Sequence, residues 1–215
     1  MSIGEDFENK NRRLFNFWAK FYDFIGIRKI YFEPLYVEIL DALKREVKKY
    51  LVGEYRFLDI ACGTGEIISR LAKEFPNPRF VGADFSIDMV KKAKEKNANL
   101  KNAEFYGTNA SKLPFDDESF DVVLCSEAFH HFLMPERVLE EARRVLKPRG
   151  YFLLVDPAFN NACWRGFART IFKPIESAKD YYSAGDLQRM LLNHGFQAFS
   201  SFKRCLNNFV FAKKV

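Results

Sequence analysis

No stretch of this 215-residue chain approaches the roughly 20 consecutive apolar residues that a bilayer-spanning helix needs. The first residues, Met1 to Asn9, are polar and acidic rather than basic and then apolar, so no secretory leader is read there. Cysteine is sparse. Cys62, Cys125, Cys163 and Cys205 stand far apart, make no C-x-x-C pair and have no histidine-rich neighbourhood, which argues against both a zinc site and a disulfide framework. The expectation is a reduced, cytoplasmic protein with no metal and no membrane span. Repeats, low-complexity tracts and linkers are absent, so one large domain with appendages is expected. Charge of one sign is missing too: 34 basic and 28 acidic residues are spread along the sequence. The net +6 therefore reads as a mixed, solvated surface, and no nucleic-acid partner is expected.

Present instead is ordinary globular composition, 48% hydrophobic and 29% charged, enough to build a sizeable core. Residues 11 to 52 read as helical. An aromatic cluster (Phe15, Phe17, Trp18, Phe21, Tyr22, Phe24) precedes Leu35, Ile39, Leu40, Leu43 and Val47 at helical spacing, and Gly53 closes the run. After Gly53 the pattern becomes an alternation of strands and helices. Strands are expected at Phe57–Ala61, Arg79–Asp84, Glu104–Gly107, Phe120–Cys125 and Tyr151–Val155. Helices are expected from Ile67 to Phe75, from an N-cap at Ser86 to about Lys96, and from Pro135 to Leu146. Ser183 and Asp186 are spaced as a capping box for one more helix, which Gly195 stops. Two last strands, about Gln197–Cys205 and Asn208–Lys213, read as a hairpin joined through Leu206-Asn207.

Strands separated by helices pair in parallel, with helices on both faces of the sheet. The expected fold is thus α/β: a Rossmann-like, doubly wound, mostly parallel seven-stranded sheet with an antiparallel strand from the C-terminal hairpin. Residues 1–52 form a helical arm or lid and residues 53–215 the domain proper, with an insertion at 158–182 as a second lid.

In such sheets ligands bind beyond the carboxyl ends of the strands where strand order reverses, which directs attention to the loops after Ile60, Ala83, Gly107 and Cys125. Gly63 and Gly65 allow a turn tight enough for a ligand to reach backbone amides at the following helix N-terminus. Asp84 ends the next strand about 20 residues later, the place for an acid that grips ribose hydroxyls. A dinucleotide fingerprint would need glycine where Ile68 stands, and the Gly-Lys-Ser/Thr end of a P-loop is absent. The residues thus point to a nucleoside that is neither NAD nor ATP.

The segment Leu58-Asp-Ile-Ala-Cys-Gly-Thr-Gly65 resembles the first motif of class I S-adenosylmethionine (SAM) methyltransferases. Val81-Gly-Ala-Asp-Phe-Ser86, Leu113-Pro-Phe-Asp-Asp-Glu-Ser-Phe-Asp-Val122 and Arg144-Val-Leu-Lys-Pro-Arg-Gly150 resemble later parts of the same pattern. The similarity covers about residues 55 to 156 and is strongest to the small-molecule branch that includes the ubiquinone and menaquinone methyltransferases. It implies SAM as cofactor and S-adenosylhomocysteine as product. Asp59 then orients the SAM amino group, while Ile60, Ala61, Gly63 and Gly65 place the loop backbone on the methionine part. Asp84 holds the ribose, Phe85 and Met89 pack on adenine, Asn109 and Ala110 meet its edge, and Ser126 borders the methionine moiety. Tyr22, within Phe21-Tyr-Asp-Phe24, resembles a segment that closes over SAM. Where the family often has glycine, this chain has Ala61 and Arg149.

The implied reaction moves a methyl group to a small, apolar or aromatic acceptor, enclosed by the aromatic arm and by Trp164, Phe167, Ile171 and Phe172. His131 and His130, after the fourth strand, are the candidate bases. A histidine pair that only caps a helix explains the same residues. Cys62 and Cys125 read as small buried residues rather than nucleophiles, which disfavours arsenic methylation. A nucleic-acid or protein methyltransferase is the alternative, although Ser126-Glu-Ala-Phe129 stands where many base-methylating enzymes have Asn/Asp-Pro-Pro-Tyr/Phe. A non-catalytic SAM-binding module is a third reading. A monomer or homodimer is expected.

Overall fold

In the computed structural model, which describes residues 28–159, 166, 170 and 178–215, seven strands form: β1 (Arg56–Ile60), β2 (Arg79–Asp84), β3 (Ala103–Gly107), β4 (Phe120–Ser126), β5 (Leu146–Pro157), β6 (Phe196–Arg204) and β7 (Asn207–Lys214). They make one sheet in the order β3-β2-β1-β4-β5-β7-β6. Pairings from β3 through β5 are parallel, and β7 runs antiparallel to both β5 and β6. Interposed are α1 (Glu33–Val52), α2 (Glu66–Glu74), α3 (Ile87–Lys96), α4 (Pro135–Val145) and α5 (Ala184–Asn193). The expected α/β fold is therefore the observed one. Tyr22, the aromatic residues from Phe15 to Phe24, Cys163, Trp164, Phe167, Ile171 and Phe172 lie outside the described residues.

Side chains alternate across a strand, so each strand feeds two cores. Phe57, Phe80, Val122, Leu124, Leu153, Val155, Phe209 and Phe211 pack on one face with Leu35, Ile39, Leu43 and Val47 of α1, with α2 and with α3. Leu58, Ile60, Val81, Val123, Phe152, Leu154 and Val210 pack on the other with Val138, Leu139 and Ala142 of α4 and Leu187 and Leu191 of α5. The described part of the N-terminal arm thus belongs to the first core. Chain order reverses between β1 and β4, and their carboxyl ends open the crevice in which the candidate site lies.

Local chemistry fixes the helix starts. The Ser86 hydroxyl accepts from the Met89 N–H, Pro135 sits in the first turn of α4, and Ser183 and Asp186 form the expected capping box. Three boundaries differ from expectation. Helix α4 stops at Val145, and Leu146 already pairs with Phe120, so Lys147 to Gly150 is an irregularity inside β5 rather than a break before it. The β6–β7 hairpin turns at Cys205 and Leu206, with φ of 47° and 64°, not at Leu206-Asn207. Asn207 is instead fully buried in β7 and donates its amide to the Cys205 carbonyl at 3.0 Å. The histidine pair lies in a separate short 3-10 turn, Phe129–His131, rather than at the start of a longer helix.

Candidate active site

The loop after β1 is a succession of left-handed residues: Ala61, Gly63 and Gly65 have φ of 59°, 54° and 70°. A Cβ on Gly65 would lie 2.6 Å from the Phe105 ring, whereas one on Gly63 would meet nothing within 4 Å. Gly65 is therefore required by packing as well as by φ, and Gly63 by φ on the open side of the loop. Ala61 carries a Cβ in a conformation that costs an L-residue about 1–2 kcal/mol. Arg149, the other departure from glycine, likewise has positive φ, 61°.

The acid at the end of β2 locks this loop. Gly63 N–H donates to Asp84 Oδ2 at 2.8 Å and Ser86 N–H to Oδ1 at 2.8 Å. Burial nonetheless pushes the Asp84 carboxyl above its ordinary range, against the pull of these amides. Asp59, one strand away, is 1% exposed, and among the described residues its Oδ1 has no hydrogen-bond partner. Burial first, and then the charge of Asp84, push its carboxyl well up. A buried carboxylate without a partner is expensive, and a bound cation relieves it.

Both acids line a cavity of about 550 Å3. That size suits a small-molecule site. Ala61, Gly63, Phe85, Met89, Asn109, Ala110, Ser126, His130 and His131 line it with them. Ile60 is fully buried in the second core and Gly65 acts through packing, so neither contributes to the wall. Asn109 is a turn residue as well as a wall residue, because its Oδ1 accepts from Ser111 N–H at 2.9 Å and Ser111 Oγ at 2.8 Å. Cys62 lines the cavity and Cys125 is buried, and burial pushes both thiols well up, so neither is a thiolate nucleophile.

The far end of the cavity holds residues that the sequence reading did not single out. Tyr31, Phe32 and Tyr36 form an aromatic part of the wall, which Glu127, Phe132, Leu133 and Met134 continue. The Tyr31 hydroxyl donates to Glu127 Oε2 at 2.8 Å and accepts from Asn207 Nδ2 at 3.3 Å. Burial and the Glu127 charge hold the Tyr31 proton far above its ordinary range. Glu127 has φ of 54°, a strained backbone directly after β4. His130, 4% exposed, places Nδ1 2.9 Å from Oδ1 of Asp156, which is 1% exposed near the end of β5. The strand-end rule applied to β4 and β5 would have found Glu127 and Asp156. Tyr31 and Asn207 carried no such signal.

Residues 51–195 match the methyltransferase domain family. The chain belongs to that family. A demethylmenaquinone methyltransferase of Thermotoga maritima is 37% identical over 114 residues, which are 53% of this chain and 48% of that protein. A phthiotriol/phenolphthiotriol dimycocerosates methyltransferase of Mycobacterium tuberculosis is 38% identical over 115 residues, 53% of this chain and 42% of that protein. This methyltransferase domain thus spans about half the length of the curated relatives it matches. A SAM-dependent methyltransferase structure from Aquifex aeolicus superposes with a TM-score of 0.70, covering 93% of this chain and 98% of that one at 22% identity, which supports the fold. The expected resemblance to SAM methyltransferases, and within them to the small-molecule branch, holds, and SAM is the cofactor that goes with it. The lone Asp59 oxygen fits that group, since SAM brings a cationic amino-acid tail. Among the described residues no helix is long and apolar enough to cross a membrane, and no three His, Cys, Asp or Glu side chains gather as metal ligands.

Proposed function

We propose that this chain transfers the methyl group of SAM to a small apolar or aromatic acceptor carrying an ionisable hydroxyl or acidic carbon. The observation that carries the reading is the buried, partnerless Asp59 oxygen beside Asp84 in a cavity that continues into an aromatic wall. Asp59 takes the SAM amino group, the Ala61–Gly65 loop its methionine backbone, Asp84 the ribose hydroxyls, and Phe85 and Met89 the adenine faces. Asn109, Ala110 and Ser126 complete that end. Tyr31, Phe32 and Tyr36 supply the apolar surface against which an acceptor ring lies. SAM held there would supply an electrophilic methyl group to the acceptor's nucleophilic atom. The protein's task is to orient the acceptor, exclude water and take its proton, for which the His130–His131 turn stands at the cavity wall. Relatives named for demethylmenaquinone and for phthiotriol/phenolphthiotriol dimycocerosates support a small apolar or aromatic acceptor.

The test is incubation of the full chain with methyl-labelled SAM and, in parallel, anaerobic 1,4-dihydroxynaphthalene, tRNA and duplex DNA. Label in the naphthalene product is expected, and label in either nucleic acid instead would overturn the reading. Calorimetry of Asp84→Ala should show SAM affinity weakened by about 1–3 kcal/mol, the range for hydrogen bonds to a charged group. Unchanged affinity in a folded variant would remove Asp84 from the site.

A further inference from the structure

From the geometry of the β4 and β5 ends we infer that Asp156 is a positioning residue that fixes His130 as the base for the acceptor's proton, with Nδ1 turned to the strand end and Nε2 serving the cavity. The inference rests on the methyl-transfer reading above and adds to it a residue pair and a choice between the two histidines.

Three observations converge. The Nδ1–Oδ1 distance of 2.9 Å joins two side chains that are 4% and 1% exposed, so water does not compete for the contact. The second oxygen, Oδ2, is buried and has no hydrogen-bond partner among the described residues, so His130 is the side-chain partner of that carboxyl. The same carboxyl accepts from the backbone N–H groups of Phe129 and His130, which ties the turn itself to β5. His130 lines the cavity and Asp156 does not, so the pair points one way, from strand end through imidazole to acceptor.

With Nδ1 hydrogen-bonded to a carboxylate, neutral imidazole carries its proton there and offers the Nε2 lone pair. In the transfer, the acceptor's O–H or C–H proton goes to Nε2 as the new bond to carbon forms. The imidazolium so formed is balanced by Asp156. Burial pushes the Asp156 carboxyl up while the Phe129 and His130 amides pull it down; with the carboxyl ionised, the buried pair carries one negative charge before that step and none after it.

Among the described residues, aromatic rings and backbone amides pack around the pair. The ring centre of His131 is 3.9 Å from that of His130, and the Tyr181 ring lies near-parallel at 5.8 Å. Lys179 and Asp180 reach His130 through their backbone N–H groups, which donate to its carbonyl oxygen at 2.6 and 3.3 Å. Tyr31 and Cys125, which feel the Asp156 charge, keep their protons through burial, and the Glu127 carboxylate accepts from the Tyr31 hydroxyl.

Two measurements decide the matter. In the full chain with 15N-labelled histidine, the His130 nitrogen spectrum at neutral pH should show the Nδ1–H tautomer. An Nε2–H tautomer overturns the inference, and this arm needs no acceptor and no variant. With 1,4-dihydroxynaphthalene as acceptor, Asp156→Asn should lower kcat about 100-fold or more, as expected for loss of an oriented general base. KM and the SAM Kd should stay within about threefold, and the rising limb of the kcat–pH profile should move to lower pH because the base is weaker. A variant that only loosened the turn would change SAM affinity and thermal stability with the inflection unmoved, which would return Asp156 to a purely structural role. Failure of the wild type to methylate the naphthalene refutes the acceptor class alone, and the tautomer then stands or falls on the nitrogen spectrum.

Discussion

The proposed cofactor end of the cavity draws mainly on two short stretches, Asp59 to Gly65 and Asp84 to Met89, completed by Asn109, Ala110 and Ser126, whereas the acceptor end gathers Tyr31, Glu127, His130, Asp156 and Asn207 from across the chain. The first is made mainly of backbone: left-handed turns, amides capped by Asp84, and a helix N-terminus. The second is made of side chains meeting at strand ends. A binding site built from backbone conformation is fixed by which residues tolerate that conformation, while one built from side chains is free to vary with the molecule it receives. The contrast predicts that substitutions at the first end cost affinity for SAM or the fold itself, and that those at the second end spare SAM binding.

The largest effect is expected at Gly65. Gly65→Ala places a methyl group 2.6 Å from the buried Phe105 ring at a backbone φ of 70°. Left-handed strain of about 1–2 kcal/mol and overpacking of about 1–3 kcal/mol together give a loss of about 2–5 kcal/mol, measurable by urea unfolding. Gly63→Ala, with open space around its Cβ, should cost only about 1 kcal/mol of stability. Equal losses at the two glycines would mean that packing against Phe105 does not hold the loop.

That difference also shows how far sequence alone reaches. The Gly63–Gly65 turn, Asp84 and the Ser86 cap were legible because each is a local requirement: a φ, an orphan amide, a strand end. Strand alternation gave the sheet for the same reason. The Cys205-Leu206 turn was misplaced by a residue because neither side is the Asn or Gly that positive φ normally selects. Asn207, which looked like a turn residue, is buried by its pairing with Pro157 across the sheet, a contact 50 positions away. His130 was legible as a candidate; Asp156 was within reach of the strand-end rule, but nothing near it in sequence marks it as facing a histidine.

Next in size is a trade between stability and binding at Asp59. Burial, then the Asp84 charge, raises this carboxyl, so the native state holds its proton more tightly than the unfolded chain does. That contribution is complete below the ordinary value of 3.8 and is lost as pH rises through the raised native value. Asp59→Asn removes the dependence, and without ligand it should be more stable than the wild type at neutral pH, by about 0.5–2 kcal/mol, the advantage shrinking as pH falls. Its SAM affinity should fall about tenfold or more, the size of a lost charge-assisted hydrogen bond. Thermal unfolding against pH, with calorimetry on the same samples, reads both; a variant that is less stable and binds normally would mean that Asp59 already has a partner the native fold needs.

The smallest effect tests the division itself. Tyr31→Phe keeps the aromatic wall but removes the hydroxyl that donates to Glu127 and accepts from Asn207. Asn207 keeps its bond to the Cys205 carbonyl, so the loss is one good hydrogen bond and one long one, about 1–2 kcal/mol by urea unfolding. Because Tyr31 reaches the cavity from the π-helical turn Arg28–Phe32 that precedes α1 and is tied to the ends of β4 and β7 rather than to the glycine loop, SAM affinity should change less than threefold. A tenfold loss would put Tyr31 in contact with the cofactor, and the two ends of the cavity would then share a residue instead of meeting at Ser126 and Glu127.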